Sequence, residues 1–381
     1  MAHGFWGAEH YVDPSIAGNS GTGTSIDPYG DLQYAFDTAT KDATDGDVFH
    51  ILAGTAEVLA APLDLSTFGQ STAAVPLALV GYTTTIWDGG QAEIDCNGAE
   101  MFNTAHNTQD GLGLYFLEVH NGGSTDLIRG DRQCICYGCK VHNCTGSGIY
   151  FPGTAGGGVF LCELYDITGN YGIYLGEGQV AHNWIGVGAG VSPASAAIYI
   201  NGVCTVHHNI IHVSPANNGI HKPGGAAGVG IFNNSILGDA VNNGSGIHIT
   251  GDGNADAVFN NLIEGFSGSS GNGIYFANLD SNKMMTGHNS VFNCTTAFYQ
   301  AGLSGFAPLG LDEETLGVTP FAKSGADTFA NRFEYFSPVA TGNVSAGYPT
   351  GSNEYRGAIQ PVVAGAAVAI LNSRSNNLTL R

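Results

Sequence analysis

The sequence predicts an all-β solenoid, a parallel β-helix of about ten coils plugged at its N-terminal end by a short helix, and three observations carry that prediction. One phrase recurs through the middle of the chain: Gly148-Ile-Tyr-Phe, Gly172-Ile-Tyr-Leu, Ala197-Ile-Tyr-Ile, Gly219-Ile-His-Lys, Gly246-Ile-His-Ile, Gly273-Ile-Tyr-Phe and the degenerate Ala297-Phe-Tyr-Gln. A second marker runs out of phase with it, at Cys139, Cys162, Asn183, Asn209, Asn234, Asn261 and Asn289, each leading two residues later to an aliphatic side chain. Both keep one drifting period of about 25 residues, too short for a propeller blade and without the helix of a leucine-rich unit. Finally, 58 of the 381 residues are Gly, and Gly and Asn separate short β-branched or aromatic runs.

In a parallel coil, equivalent residues stack about 4.8 Å apart along the axis, and strand residues alternate inward and outward. Ile149, Ile173, Ile198, Ile220, Ile247 and Ile274 are therefore expected as one interior stack. An Asn at a sharp corner tolerates unusual dihedrals, and its amide can bond the Asn above and below, so Asn183, Asn209, Asn234, Asn261 and Asn289 are expected as a buried ladder. Cys139 and Cys162 continue that column with thiols. Near the N-terminus Leu32, Ala35, Phe36 and Ala39 share one helical face, which can plug the open hydrophobic end. Val48 to Ala53 reads as the first coil strand, and Leu77-Ala-Leu-Val-Gly-Tyr starts the second.

Composition excludes several function classes. Lys plus Arg number 11 against 32 Asp plus Glu, a formal charge of −21, and the few cations are scattered, so a nucleic-acid partner is not expected. Hydrophobic content of 43% is ample for a core and argues against disorder. The longest apolar stretch, Val362 to Leu371, is too short to span a bilayer, and Met1 to Tyr11 carries neither a basic n-region nor an apolar h-region. A chain made without a secretory leader is expected, with its cysteines reduced and mostly in the core.

With these elements in place, the chain resembles the right-handed parallel β-helix repeat proteins of the pectate-lyase-like superfamily over roughly residues 9 to 360. The likeness rests on Tyr11-Val-Asp-Pro-Ser with the Gly/Ser/Thr stretch after it, Asp31-Leu-Gln-Tyr-Ala-Phe-Asp, Gly46-Asp-Val-Phe-His-Ile-Leu-Ala-Gly-Thr and the closing Asn353-Glu-Tyr-Arg-Gly-Ala-Ile-Gln-Pro. It divides the chain into a lead-in with capping helix (1–45), the β-helix (46–302), a segment packing on or closing it (303–360), and a tail or partner-binding extension (361–381). That superfamily holds lyases, hydrolases, epimerases, phage tailspikes and proteins without a known reaction, so the resemblance leaves the tailspike-like and lyase-like branches open. The Asn-Thr-Asp, Asp-Asp, Gly-His-Gly and Arg-Ile-Lys strings of polygalacturonase-like members are absent. Pectate-lyase-like members use calcium carboxylates and an Arg or Lys base, yet between Cys134 and Gln300 the only cations are Lys140, Lys222 and Lys283.

One cluster could carry chemistry. If Cys139 stacks on Cys162, Lys140 lies beside Glu163 and His142 beside Tyr165, all projecting outward. A Lys, Tyr and His near a carboxylate can serve proton abstraction in polysaccharide β-elimination; the competing reading is a cross-strand ion pair beside two surface rings. Tyr150, Tyr174, Tyr199, His221, His248 and Tyr275 form an outward stripe that either stacks on sugars or supports itself. Trp184, Ile210, Leu237, Leu262 and Phe292 also point outward and need a cover, either another copy of the chain or residues 303–340 with Phe306, Phe321, Phe329, Phe333 and Phe336. No metal or other cofactor is expected. Cys134-x-Cys-x-x-Cys-x4-Cys144 lacks the paired spacing of a zinc site, and His207-His208 reads as a ring pair, one member buried and hydrogen-bonded. Gly251-Asp-Gly-Asn-Ala-Asp256, where calcium is left open, lacks the distal Glu of a calcium loop.

These features predict a non-enzymatic structural or adhesive β-helix, a virion surface component such as a fibre, spike or capsid decoration, in contact with glycans. Its location is then the virion surface, or otherwise the cytoplasm. Self-association, as a trimer by resemblance to viral β-helix fibres, or contact with other virion proteins is the expected partnership, and a membrane is not. The alternative is a polysaccharide lyase or glycoside hydrolase acting on an acidic polysaccharide.

Overall fold

The computed structural model describes residues 7–323 apart from 70, 71, 73, 74, 104–109, 187–195, 215, 216, 225–227, 240, 251–255, 278–283, 302–313, 317, 318 and 322. Successive coils feed parallel strands into three sheets. Among the described residues two sheets run through eleven strands and the third through eight, a count that departs from the repeat's prediction of about ten coils. The departure lies at the ends, where the repeat is weakest. The first sheet begins at Ala8–Val12, one strand before the segment read as the first, and ends at Met284–Gly287. The second runs from Glu57–Val58 to Glu314–Thr315, and the third from Ile128–Arg129 to Thr296–Ala301.

The isoleucine column forms in the expected register. Ile128, Ile149, Ile173, Ile198, Ile220, Ile247, Ile274 and Phe298 pair in succession through the third sheet, and the isoleucines are fully buried. Each contributes about 1.5–3 kcal/mol by leaving water.

The ladder also forms. Nδ2 of Asn183, Asn209 and Asn234 donates to Oδ1 of the next Asn at 3.0 Å, and Asn261 does so to Asn289 at 2.9 Å. Each acceptor oxygen also takes the backbone N–H of the residue below, and the Cys162 N–H donates to Asn183 Oδ1 at 2.9 Å. The residue before each Asn (His182, His208, Asn233, Asn260 and His288) turns the corner with φ between +53° and +61°, a left-handed region that His and Asn enter more readily than most residues.

At the N-terminal end the helix Leu32–Thr38 is capped by Asp31, whose side chain accepts the Tyr34 N–H at 2.6 Å. Its buried face of Leu32, Ala35 and Phe36 closes the coil stack, with the Phe36 ring 4.8 Å from Phe49 and 5.8 Å from Phe68; Ala39 caps the C-terminus. Beyond the ladder, Lys222 and Asp256 also break the apolar pattern of the interior. Lys222, beside Ile249 in its column, is buried and ion-paired with Asp256 at 2.7 Å, and Asp256 also accepts the Val229 N–H at 3.0 Å.

The outward apolar residues of the second sheet are covered from within the chain. Glu314–Thr315 adds a strand to Ser290–Phe292, and Leu316 and Phe321 then pack on Trp184, Ile210, Leu237 and Leu262, with Phe292 partly buried beside them. Polar contacts fasten this strap to Glu264: Thr319 Oγ1 donates to Oε2 at 2.7 Å, and Lys323 pairs with Oε1. The covering residues belong to this chain, which removes the reason for expecting self-association through that face. Phe306, Phe329, Phe333, Phe336 and the 361–381 extension lie outside the described residues, as does the rest of the 303–360 segment beyond the strap.

Candidate functional site

Strand pairing sets Lys140 beside Glu163 and His142 beside Tyr165 on the outer face of the second sheet, in the predicted register. The ion pair forms on the other side. Lys140 Nζ is 2.8 Å from Glu118 of the preceding coil, and His142 Nε2 is 2.9 Å from the same carboxylate oxygen. His120 extends the ring column: His120 and His142 stack at 5.0 Å, and His142 and Tyr165 at 4.5 Å, both within 6° of parallel. The His120 ring in turn meets Glu93 at 2.9 Å. The site is thus wider than the four residues read from the sequence, and Glu118, His120 and Glu93 are its additions. They escaped because their coils carry Ala92 and Leu117, not Cys or Asn, at the marker position.

These contacts decide the protonation states. Burial opposes charge on Lys140, but the bonds to Glu118 and Tyr165 outweigh it and raise the ammonium well above its usual range. Burial likewise pushes Glu118 up, and Lys140 with His142 more than reverses it. His142 is lowered by burial, partly offset by Glu118, and Tyr165 is raised by burial, partly offset by Lys140. At neutral pH the cluster therefore holds a firmly protonated Lys, a neutral imidazole and a protonated phenol. Lys140 is a cation and donor there, not a proton acceptor.

Beside this cluster the chain turns at Asn121 and Asn143, both in the left-handed region and joined amide to amide. With Asp95, Asn97, Gly98 and Gly122 they line an open polar hollow of about 430 Å³. Amide and carboxylate groups at such a hollow can exchange hydrogen bonds with hydroxyls.

The stripe on the third sheet is continuous. Tyr150 and Tyr174 stack at 4.4 Å, Tyr174 and Tyr199 at 5.0 Å, and His221 and His248 at 4.7 Å, while Tyr199 meets His221 and His248 meets Tyr275 edge-on. Ring faces inside the stacked runs are occupied by neighbouring rings, and the Tyr174 hydroxyl is engaged by Tyr150 and Asn201. Tyr299 extends the stripe at one end, and Arg129 lies over Tyr150 at the other.

Cys134, Cys136, Cys139, Cys144 and Cys162 are all buried in the core, with Cys134 and Cys144 pushed up to about 12 by burial. Of the loop where calcium was left open, residues 251–255 lie outside the described residues, and Asp256 is engaged by Lys222. His207 and His208 meet through their Nδ1 atoms at 2.9 Å, and His182 joins them from the preceding coil. Among the described residues no helix is long and apolar enough to cross a membrane.

The coil architecture defines the class: a right-handed parallel β-helix with the pectate-lyase-like fold. Among solved structures the chain is similar to pectate lyase Pel9A, at 12% identity and a TM-score of 0.55, over 94% of this chain and 97% of that one. It is also similar to the catalytic unit of a thermostable GH87 alpha-1,3-glucanase from Streptomyces thermodiastaticus strain HF3-3, at 14% identity and a TM-score of 0.40, over 83% and 69%. No family model and no curated protein matches the sequence. At 12% identity the likeness to Pel9A extends to the fold alone.

Proposed function

We propose that this chain is a structural or adhesive β-helix that presents the second-sheet face to glycan, as a component of a virion surface. The observation that carries the reading is the self-saturation of the Lys140 cluster. Glu118 pairs with Lys140 and keeps it protonated, so Lys140 is not available as the base that β-elimination requires. The polar hollow at Asn121 and Asn143 supplies hydroxyl-binding groups next to it. A formal charge of −21 disfavours polyanions, so the glycan is neutral.

Incubation with neutral and acidic polysaccharides, with and without calcium, tests this directly. Neither ultraviolet-absorbing unsaturated products nor new reducing ends should form, while calorimetry should detect a neutral glycan whose binding is lost in Asn143→Leu. The second reading is a polysaccharide lyase, favoured by the convergence of Lys140, His142 and Tyr165 on one patch. Turnover abolished by Lys140→Ala or Tyr165→Phe would establish it in place of the first. Mass spectrometry of purified particles tests the virion assignment.

A further inference from the structure

Just before the Asn ladder, the corner of the first sheet brings three imidazoles together. His207 closes the strand Cys204–His207, His208 follows in the left-handed corner, and His182 occupies that corner one coil earlier. Equivalent positions stack, so the His182 and His208 rings lie 5.0 Å apart at 20°, and His207 meets His182 edge-on at 5.6 Å. One ring nitrogen from each residue lies within 4.8 Å of the other two. His207 Nδ1 and His208 Nδ1 are only 2.9 Å apart. Two nitrogens bound to one ion at about 2.0–2.1 Å sit about 2.9 Å apart at a right angle and about 3.4 Å apart at the tetrahedral angle. This pair therefore stands near ligand spacing already.

We propose that His182, His207 and His208 bind a divalent transition-metal ion of the zinc class, through Nδ1 of His207 and His208 and one nitrogen of His182, with water completing the shell on the exposed side of His182. This departs from the sequence expectation of no metal. The sequence pairs His207 with His208, and only coil stacking adds the third ligand.

The surroundings fit the role. Amides back both Nδ1 ligands, placed with their nitrogens toward the rings: Gln179 Nε2 contacts Nε2 of His207, and Asn233 Nδ2 lies 3.3 Å from Nε2 of His208. When an ion takes Nδ1, the ring proton sits on Nε2, and each amide turned over to offer its oxygen accepts it, which fixes tautomer and ring orientation. A set of nitrogen donors selects zinc-class ions over calcium and magnesium, and the negative charge of the chain concentrates cations around it.

Titration calorimetry of the full chain with Zn²⁺, and separately with Ca²⁺, tests the site. One Zn²⁺ should bind per chain with no matching Ca²⁺ signal. Affinity should fall by about tenfold in His182→Gln and by about a hundredfold in His208→Asn. Asn already occupies the next two corners of that column with the same backbone, so His208→Asn keeps the coil, and an unchanged β-type circular dichroism spectrum checks this. Co²⁺ added to the unaltered protein gives a readout that needs no variant: visible absorption of a nitrogen-ligated ion. Absence of zinc binding, zinc binding unchanged in both variants, or Co²⁺ without those bands overturns the site and leaves a hydrogen-bonded imidazole pair.

Discussion

One corner of the solenoid is built in two ways along its length. In the proximal coils it is lined by Ala92, Leu117, Cys139 and Cys162, and in the distal coils by Asn183, Asn209, Asn234, Asn261 and Asn289. Both halves face one continuous column of strand carbonyls. The amides donate to Val159, Val180, Val206, Ile231 and Val258 at 2.9 to 3.0 Å. The thiols of Cys139 and Cys162 donate to Leu114 and Cys136, the preceding members of that column, at 3.5 Å. Ala92 and Leu117 offer that column no side-chain donor, a thiol supplies one weakly, and an amide supplies one strongly while also tying each coil to the next. The distal interior also holds the Lys222–Asp256 pair, so it admits polar groups whenever stacking provides each one with a partner.

The largest effect expected from this difference is at the ion pair. Lys222→Met strands a buried carboxylate and should cost about 3–5 kcal/mol in urea unfolding. The double variant Lys222→Met with Asp256→Asn keeps an acceptor for the Val229 N–H and should recover most of that loss. A double variant as unstable as the single one would show that the charge itself is required.

Cutting the ladder comes next. Asn234→Leu removes the acceptor of the Asn209 N–H and Nδ2 and the donor to Val206 O, and should cost about 2–4 kcal/mol. Equal losses in Asn234→Leu and Cys162→Ala would break the distinction between the two halves.

The two ends should also respond oppositely to pH. Burial, with Asp31 adding to it, raises the Glu57 carboxyl beside the capping helix from 4.5 to about 7. Its contribution is therefore complete below about pH 4.5 and lost as pH rises through 7. Glu57→Gln should gain roughly 2–3 kcal/mol over the parent at pH 8 and little at pH 4. Burial, with His221 adding to it, lowers His248 from 6.5 to about 4, so its contribution is present above pH 6.5 and lost as pH falls through 4. His248→Tyr, matching the Tyr275 and Tyr199 of the same stripe, should flatten the acid limb of the melting profile.

The smallest effect is an extension of the ladder. Cys162→Asn places an amide on Asn183 and beneath the Cys136 carbonyl, and should change stability by no more than about 1 kcal/mol while slowing hydrogen exchange of the Cys139 N–H. Faster exchange there would mean that the proximal corner cannot accommodate an amide.

The isoleucine stack, the ladder and the alignment of Lys140 with Glu163 were legible because a coil binds only its neighbours, so what stacks must recur at one period. Glu118 was not legible, since Leu117 before it carries no marker and its coil had no register until the strands paired. His182 precedes Asn183 as His208 precedes Asn209, so their alignment was legible, but that the His207 ring turns to meet both was left to the corner geometry. The strap at Leu316 and Phe321 obeys no repeat at all, and alternation along the strands showed only that something had to cover Trp184 and Leu262.

By itself, then, the sequence determined the coil, its interior columns and the demand for a cover, because period and alternation are local and every coil repeats the test. Tertiary structure decided which carboxylate holds Lys140, which chain covers the second sheet and which three imidazoles meet. Those contacts depend on a coil that carries no repeat marker, on a segment outside the repeat and on the direction in which corner rings turn, none of which the period specifies.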